Sequence, residues 1–303
     1  MLWRVAILGF GAMGRHHARV LAGAPEHFTV AGAFDPSAPV APAVRAYPSA
    51  ADAIADADVV VVASPIAAHA EGVLRAASMG RHVLVEKPIG ASLVEARAMC
   101  AAAERAAALL FVGHSERFNP VVRAIAREVA PESIRAIATR RVAATRGRGV
   151  ANDALLNLGV HDVDLAAHLT RSRVRVVAAS GGDGDADLLC ETSSGCSARV
   201  HVARALEARE RSIVVETRDA VWRGDLLRFR LARFVRATGE LTEIPVDGGE
   251  PLALQARALA AALAGGAPGA LATGRDGAAA VRAVDEARAL LARRGSAIPA
   301  DNL

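Results

Sequence analysis

A glycine-rich turn between an apolar strand and a helix is the feature that most constrains the fold of this chain. Residues 3–8 form a short apolar run with β-branched members, which predicts a strand buried on both faces. A helical pattern follows the turn and continues to about Leu21. The GxGxxG spacing in this position predicts a tight turn, a close approach of a pyrophosphate to the backbone and close packing of the helix on the strand. The turn consists of Gly9, Phe10, Gly11, Ala12, Met13 and Gly14.

An acidic residue ends the second predicted strand, where the ribose of a dinucleotide is expected. This strand covers Thr29–Phe34, and Asp35 lies 21 residues after Gly14. A carboxylate there accepts a hydrogen bond from the ribose 2′-hydroxyl and repels a 2′-phosphate, so it favours NAD over NADP. The alternative is a tight turn on an α/β fold without a ligand. The strand, turn, helix and terminal acid together favour dinucleotide binding, with the turn residues and Asp35 as cofactor contacts.

Three further apolar strands alternate with helical segments, at Val59–Ala63, His82–Val85 and Leu109–Val112. This alternation with short loops predicts a doubly wound parallel sheet. Because ligands bind at the carboxyl ends of the strands in such sheets, we expect the polar residues that follow the strands to lie on one rim. For the histidine among them, packing near a helix start is the alternative. The candidate cofactor contacts on this rim are Ser64, Pro65, His69, Glu86 and Lys87.

Lys87 is the only lysine of the chain, since the other 35 of its 36 basic Lys and Arg residues are arginines. Arginine stays charged under all ordinary conditions, whereas lysine is a compact ammonium whose pKa falls readily on burial. A lone lysine at the end of an apolar strand can donate hydrogen bonds and move a proton. The alternative is a surface lysine without a function, but its position favours a functional one.

From about residue 121 the sequence pattern changes to an α+β arrangement. Short or alternating apolar runs between residues 174 and 244 predict a large, mostly antiparallel sheet, and two helices end the chain. We therefore predict an NAD-binding Rossmann domain at residues 1–120. A substrate-binding and oligomerisation domain of the α+β class is predicted at residues 121–303.

A predicted helix at residues 154–169 carries polar side chains along one side. Asn157 and His161 are four residues apart, and Asp164 follows after three more, so all three are expected on much the same face. Such a face can line a pocket in which a hydroxyl loses its proton. The alternative is an exposed polar stripe. We predict no metal site, because the histidines and the aspartate of this helix have no further ligand candidates.

Composition excludes several other classes of function. The net charge is +4, only 3% of the residues are aromatic and the arginines are scattered, which argues against nucleic-acid binding. The three cysteines form no CxxC pair, which argues against structural zinc and a disulfide scaffold. No long apolar run predicts a membrane segment or a secretion signal, so a cytoplasmic location is expected.

These motifs together resemble the glucose–fructose oxidoreductase / inositol dehydrogenase family (Gfo/Idh/MocA). The resemblance rests on the glycine turn with His17, on Asp35, on Ser64-Pro65 with His69, on Glu86-Lys87-Pro88 and on Gly159–Asp164. It implies a pyridine-nucleotide oxidoreductase that acts on a cyclic polyol or a sugar. In such enzymes the lysine at position 87 contacts the reacting hydroxyl and the nicotinamide ribose, the Lys-Pro bond is often cis, and the histidine at 161 is the acid/base. The hydride chemistry belongs to the cofactor.

The segment Val112–Pro120 resembles the members of this family that oxidise UDP-N-acetylglucosamine or similar nucleotide sugars at the 3-hydroxyl. The resemblance adds Arg117 and Asn119 to Lys87, Asn157 and His161 as substrate contacts, with the guanidinium suited to a phosphate.

Asn157 departs from the family, which usually has Asp there. An amide can hydrogen-bond but cannot accept a proton, so His161 and Lys87 must then transfer the proton. Two alternatives stay open, namely an NAD-binding sensor or partner protein without turnover, and a lyase or glycosidase that uses NAD transiently. The open face of the second sheet and the resemblance predict a homodimer or homotetramer through that sheet.

Overall fold

The structure is a computed structural model, and it describes residues 2–144, 153–182, 184–205 and 209–295. The chain divides into two compact units, and each unit combines two separate segments of the sequence. The first unit is Met1–Phe118 with Gly249–Val281, and the second is Asn119–Gly248 with Arg282–Leu303.

Strands and helices alternate in the first part of the chain, and strands dominate after it. The α-helices are α1 (Ala12–Ala22), α2 (Ala50–Ala55), α3 (His69–Ser78), α4 (Leu93–Arg105), α5 (Pro120–Glu128), α6 (Val160–Thr170), α7 (Pro251–Leu263) and α8 (Gly274–Gly295). The strands are β1 (Trp3–Leu8), β2 (Phe28–Phe34), β3 (Val59–Val62), β4 (His82–Val85), β5 (Leu110–Val112), β6 (Ile134–Ala144), β7 (Val174–Gly181), β8 (Asp185–Thr192), β9 (Ser197–Ala205), β10 (Glu210–Thr217), β11 (Ala220–Asp225), β12 (Arg230–Val235), β13 (Leu241–Ile244) and β14 (Ala272–Thr273).

The first unit contains a six-stranded sheet in the order β14-β5-β4-β3-β1-β2. β1 to β5 are parallel, and the short β14 pairs antiparallel with β5 at the edge. The strand order reverses between β1 and β3, because β2 lies on one side of β1 and β3 on the other. The carboxyl ends of β1, β3, β4 and β5 are in step, since Leu8 pairs with Val62, Val62 with Val85, and Val85 with Val112. Residues that follow these strands therefore share one rim, as the sequence predicts.

Apolar side chains cover both faces of this sheet. Val59–Val62, the whole of β3, has no exposed surface, which is typical of a central strand in a parallel sheet. On one face Ile7 packs in a core with Leu21 of α1 and Leu259 of α7. On the other face the core combines side chains of β3 with α3 and with Met99 of α4. The layer order of helix, sheet and helix confirms the predicted Rossmann fold.

The second unit contains an eight-stranded sheet in the order β13-β12-β11-β10-β6-β9-β8-β7. All neighbours are antiparallel except β6 and β9, which run parallel. This confirms the predicted large, mostly antiparallel sheet. The strand β8 alternates exposed and buried residues, so only one face of it packs on the protein. α6 lies against the buried face, and a bidentate contact from Arg141 of β6 to Asp162 holds it there at 2.8 and 3.0 Å.

Three features differ from the sequence-based expectations. Residues 249–281 were expected in the second domain, whereas they pack with the first unit and supply α7 and β14. The predicted α-helix at 154–169 begins with a π-helical turn at Leu155–Gly159 before α6. Residues 226–229 lie in the region of apolar runs that predicts strands, but they form a turn instead. Within the described part of the chain, no helix is long and apolar enough to cross a membrane.

Candidate active site

A cavity of about 630 Å³ opens at the carboxyl ends of β1, β2 and β3, where the strand order reverses. Its walls come from the glycine turn, from the segment after β2 and from the segment between β3 and α3. The predicted cofactor contacts that line it are Gly9, Gly11, Ala12, Met13, Asp35, Ser64 and Pro65. The structure thus brings these residues together around one space.

The glycines of the turn differ in what surrounds them. Gly9 has a φ of +92°, and a Cβ atom there would lie 2.5 Å from the backbone nitrogen of Ser64. A Cβ atom at Gly14 would overlap the carbonyl oxygen of Gly9, so α1 approaches the turn as closely as a glycine permits. A Cβ atom at Gly11 would meet nothing within 4 Å, because this residue faces the cavity. Gly9 and Gly14 therefore shape the turn, and Gly11 leaves space for a ligand.

The first turn of α1 can bind an anion. Gly11 is the N-cap residue and offers no side-chain hydrogen bond, and no acidic residue lies in the first turn. The backbone N–H groups at this end therefore keep their positive potential, which favours a phosphate.

Asp35 is held as a carboxylate by the backbone on three sides. Phe10 N–H donates to Oδ2 at 2.6 Å, and the N–H groups of Ser37 and Ala38 donate to Oδ1 at 2.8 and 2.7 Å. Burial raises the pKa of Asp35, but the three N–H groups and the charge of Arg15 outweigh it and lower the pKa below its ordinary value. One lone pair of Oδ2 is left for a further donor, such as a ribose hydroxyl.

Ser64 carries an unused polar atom at the wall of the cavity. Its Oγ atom is buried and has no hydrogen-bond partner in the structure, although Ser64 lines the open space. A buried hydroxyl without a partner is unfavourable, so a ligand in the cavity is expected to satisfy it. This hydroxyl, the free helix end and the space over Gly11 fit a bound dinucleotide.

The Glu86–Pro88 segment follows β4 on the same rim. The Lys87–Pro88 peptide bond is cis, as the resemblance implies. The Glu86 carboxylate is buried, and its Oε2 atom accepts a hydrogen bond from the Lys87 N–H at 3.2 Å. Burial raises the pKa of Glu86, but the hydrogen bond and charge of His17 and the charge of Lys87 lower it, so the net shift is downward. The segment thus places a carboxylate directly beside the only lysine.

His17 is a residue of this region to which the sequence pattern assigns no role. It lies on α1, is 2% exposed, and its Nε2 atom donates to Glu86 Oε1 at 2.8 Å. The available signal was its place three residues after Gly14, on the helix face that turns towards the sheet. Its partner could not be found from the sequence, because 69 residues separate His17 from Glu86.

His69 is buried at the start of α3 with 2% of its surface exposed. Its Nδ1 atom lies 3.0 Å from the carbonyl oxygen of Pro88, and its Nε2 atom lies 2.9 Å from that of Ser64. Both polar atoms are engaged within the protein, which differs from the expected contact with a cofactor. Direct contact of His69 with a cofactor therefore stays a prediction.

Arg117 and Asn119, expected to bind substrate, both have contacts inside the protein. The Arg117 side chain is 6% exposed, and its Nη1 atom lies 3.5 Å from the Leu271 carbonyl oxygen and 3.6 Å from Asp276. Asn119 caps α5 by accepting the Val121 N–H at 3.1 Å. These contacts stabilise local structure, and a role of either residue in substrate binding stays a prediction.

Asn157 and His161 belong to the second unit. Asn157 lies in the π-helical turn and His161 in the first turn of α6, and both are half-buried. π-helical turns occur frequently at functional sites. Asp162, the neighbour of His161, is fixed by Arg141, so the helix start that carries His161 is anchored to the sheet. Their roles in catalysis stay predictions.

Comparisons with known proteins agree with this architecture. Residues 3–114 match the Gfo/Idh/MocA model of an oxidoreductase family with an NAD-binding Rossmann fold. The UDP-N-acetylglucosamine 3-dehydrogenase of Acidithiobacillus ferrooxidans is 28% identical over 254 residues, which cover 80% of each chain. The inositol 2-dehydrogenase of Rhizobium meliloti is 28% identical over 286 residues, covering 78% of this chain and 86% of that protein.

Solved structures show the same fold over nearly the whole chain. The UDP-N-acetylglucosamine 3-dehydrogenase GnnA from Acidithiobacillus ferrooxidans matches with a TM-score of 0.87 and 24% identity, covering 96% of this chain and 98% of that one. An aldose-aldose oxidoreductase from Caulobacter crescentus matches with a TM-score of 0.82 and 21% identity, covering 97% and 98%. The first part of the chain, residues 3–114, therefore matches the Gfo/Idh/MocA family of oxidoreductases with an NAD-binding Rossmann fold, and the whole chain has the fold of the solved structures.

Proposed function

We propose that this enzyme is an NAD-dependent dehydrogenase that oxidises a hydroxyl group of a sugar or nucleotide sugar, with the 3-hydroxyl of UDP-N-acetylglucosamine as the best candidate. The observation that carries the proposal is the position of Lys87, the only lysine, at the carboxyl end of β4. This end is in step with the glycine turn that faces the cavity. Similarity to the UDP-N-acetylglucosamine 3-dehydrogenase supports the choice of substrate.

NAD is the proposed cofactor because of the charge at its expected ribose end. The pKa of Asp35 is lowered, so its carboxylate is negative at neutral pH and repels a 2′-phosphate. Arg75, a cation of the cavity wall, forms an ion pair with Glu71 at 3.3 Å. A relative of the chain, the scyllo-inositol 2-dehydrogenase of Bacillus subtilis, carries NADP in its name, and titrations with NAD and with NADP test the preference.

In the proposed reaction His161 accepts the proton of the reacting hydroxyl, and Lys87 donates a hydrogen bond to its oxygen. When bound, the nicotinamide supplies the acceptor for the hydride that leaves the same carbon. Asn157 orients the substrate, because an amide donates and accepts hydrogen bonds but does not take up a proton. The Asp35 carboxylate and the first turn of α1 bind the other end of the cofactor.

The proposal is tested with purified protein, UDP-N-acetylglucosamine and either NAD or NADP. We expect NADH absorbance to appear together with a product that is two hydrogen atoms lighter by mass spectrometry. Lys87→Met is expected to reduce kcat by about 100-fold or more, because the loss of one positioned hydrogen-bond donor to the reacting oxygen costs on the order of 100- to 1,000-fold. His16→Gln is the control, since His16 is an exposed residue of α1. Unchanged turnover in a folded Lys87→Met variant would contradict the proposal.

Asn157 is the observation that favours a second candidate, an NAD-binding protein without redox turnover. A family position that usually holds Asp is here an amide, which cannot accept a proton. Tight NAD and sugar binding without net NADH would support this candidate, and a cleaved or dehydrated sugar without net NADH would support a lyase or glycosidase. Asn157→Asp separates the cases, because a weakened dehydrogenase should gain turnover from it and a sensor should gain none.

A further inference from the structure

Lys87 is flanked in the chain by two residues that buried histidines hold. Glu86, the residue before it, accepts the hydrogen bond from His17 at 2.8 Å. Pro88, the residue after it, has its carbonyl oxygen 3.0 Å from Nδ1 of His69. Both histidines are 2% exposed, so neither contact is shared with solvent. Buried polar side chains are unfavourable unless they form such hydrogen bonds, so these contacts fix the positions of both partners.

Each histidine lies on a helix that follows a different wall segment of the dinucleotide cavity, either the glycine turn or the segment between β3 and α3. His17 lies on α1, which begins directly after its N-cap residue Gly11 in the glycine turn. His69 begins α3, and its Nε2 atom lies 2.9 Å from the carbonyl oxygen of Ser64, which lines the cavity. The two side chains therefore connect these two wall segments with the two neighbours of Lys87, because His17 contacts Glu86 and His69 contacts Pro88.

Charge and packing make the His17 contact specific. The Glu86 carboxylate also accepts the Lys87 N–H, and a Cβ atom at Gly113 would lie 3.0 Å from its carboxyl carbon. The carboxylate is thus enclosed by a histidine, by the backbone of Lys87 and by the end of β5. It cannot move without moving Lys87 or breaking the bond to His17.

The His69 contacts require two donors. Carbonyl oxygens only accept hydrogen bonds, so the ring donates to Ser64 and to Pro88 together only when both of its nitrogen atoms carry hydrogen. One ring nitrogen atom faces each segment, at 3.0 Å from the Pro88 carbonyl oxygen and at 2.9 Å from the Ser64 carbonyl oxygen. His69 is therefore suited to join the two segments, and a shorter or apolar side chain cannot do so.

We propose that His17 and His69 are positioning residues for Lys87. Each one joins a wall segment of the dinucleotide cavity to the Glu86–Pro88 segment. The position of the lysine is thereby fixed relative to the bound cofactor. This inference rests on the proposed function, in which Lys87 meets the reacting hydroxyl. A misplacement of about 1 Å at such a group costs on the order of 100-fold in rate, so this position matters for turnover more than for cofactor affinity.

The first test observes Lys87 directly and needs no substrate. Because the chain has one lysine, reductive methylation with ¹³C-formaldehyde labels its ε-amine and the N-terminal amine alone. Lys87→Arg identifies the remaining N-terminal signal in the NMR spectrum. We expect the Lys87 signal to shift or split in His17→Leu and in His69→Leu. The same signal should keep its wild-type position in His17→Gln, which retains a donor, and in His16→Leu, which changes an exposed neighbour.

The cofactor provides a second arm of this test. Addition of NAD to the labelled wild type is expected to shift the Lys87 signal, and the shift should fall at least about twofold in His17→Leu and His69→Leu. NADH affinity, measured by fluorescence titration, should stay within about threefold of wild type in both. Should His17→Leu fail to fold, His17→Asn replaces it, because its shorter amide does not reach Glu86, and it must give the same result.

Kinetics decide whether the histidines act through Lys87. We expect His17→Leu and His69→Leu to lower kcat by about 10- to 100-fold with little change in KM. In the Lys87→Met background the same substitutions should cause no further loss, because residues that act as one unit are not additive. The proposal would be overturned if the decreases in kcat multiply in the double variants. It would also be overturned if the Lys87 NMR signal is unchanged in both His17→Leu and His69→Leu. If the wild-type protein oxidises no sugar, the proposed function is refuted but the positioning role is not. The Lys87 NMR signal, with and without NAD, still tests that role.

Discussion

Two glycines of the same turn should respond in opposite ways to the same substitution, and this contrast tests the assignment of the cavity. In Gly11→Ala the new methyl group meets no atom within 4 Å, and the φ of −68° suits alanine. Alanine is a poorer N-cap residue than glycine, which destabilises the protein by less than about 1 kcal/mol. It also lowers the conformational entropy of the unfolded chain, which stabilises the protein by less than about 1 kcal/mol. The free energy of unfolding should therefore stay within about 0.5 kcal/mol of wild type.

Gly14→Ala places its methyl group on the carbonyl oxygen of Gly9 and 3.0 Å from the carbonyl carbon. Alanine gains about 1 kcal/mol of helix propensity over glycine, but overpacking against backbone costs typically 1–3 kcal/mol and more when nothing can rotate away. Since a backbone oxygen of the turn cannot rotate away, we expect a net loss of about 2 kcal/mol. For a chain of this size that loss corresponds to a decrease in Tm of about 4–8 °C.

The assays are urea unfolding for stability and NADH fluorescence for binding. Gly11→Ala should weaken NADH binding by about tenfold or more, equal to about 1.4 kcal/mol, because the methyl group occupies the space left for the pyrophosphate. Normal NADH affinity in Gly11→Ala would show that the dinucleotide does not pass over this residue. Normal stability in Gly14→Ala would show that the turn yields to α1 at no cost.

Other predictions concern Asp35, the buried ion pair of the second unit and the oligomeric state. Asp35→Asn should lower the NAD over NADP preference by about tenfold, or about 1.4 kcal/mol, in paired titrations, because it removes the charge that repels a 2′-phosphate. The contacts of Asp35 lower its pKa, so the carboxylate stays ionised above its ordinary pKa of about 3.9. The ratio of wild-type to Asp35→Asn affinity for NAD should therefore be flat from about pH 5 to 8, and a ratio that decreases as the pH is lowered within this window would contradict the lowered pKa. Arg141→Met should destabilise the protein by about 3–5 kcal/mol in urea, because it leaves the Asp162 carboxylate buried without this guanidinium, and adding Asp162→Leu should restore most of the loss. Light scattering should give two or four times the chain mass of 31.2 kDa, and a monomer would refute association through the second sheet.

Local patterns predicted most of the first unit correctly. The strand, glycine turn and helix of residues 3–22 depend on neighbours in sequence, and so does Asp35 at the end of β2. The rim residues Ser64 and Lys87 followed from one rule, since the carboxyl ends of parallel strands share an edge. Such features are encoded within about ten to twenty residues, where periodicity and turn chemistry are informative.

Contacts between distant segments could not be predicted in this way. The pairing of β14 with β5 joins residues that are 160 apart, Val112 and Ala272, and a two-residue strand has no periodicity. The π-helical turn at Leu155–Gly159 keeps nearly the same apolar pattern as an α-helix. The buried bond between His17 and Glu86 depends on how α1 packs against the sheet, and a histidine on a helix gives no sign of its partner.

The return of residues 249–281 to the first unit sets a limit on when that unit can be completed during synthesis. Its parallel strands have all been synthesised by residue 118, but α7 and β14 are complete only when residue 281 has been made, 163 residues later. At about 5–20 residues per second this interval is roughly 8–33 s. During that time the apolar side chains that meet Leu252, Leu259 and Leu271 have no cover, and the edge of β5 is open. For many seconds the nascent nucleotide-binding unit is thus an aggregation-prone intermediate with exposed apolar surface and an unpaired strand edge. Chaperones that shield apolar surface should be needed mainly during this interval.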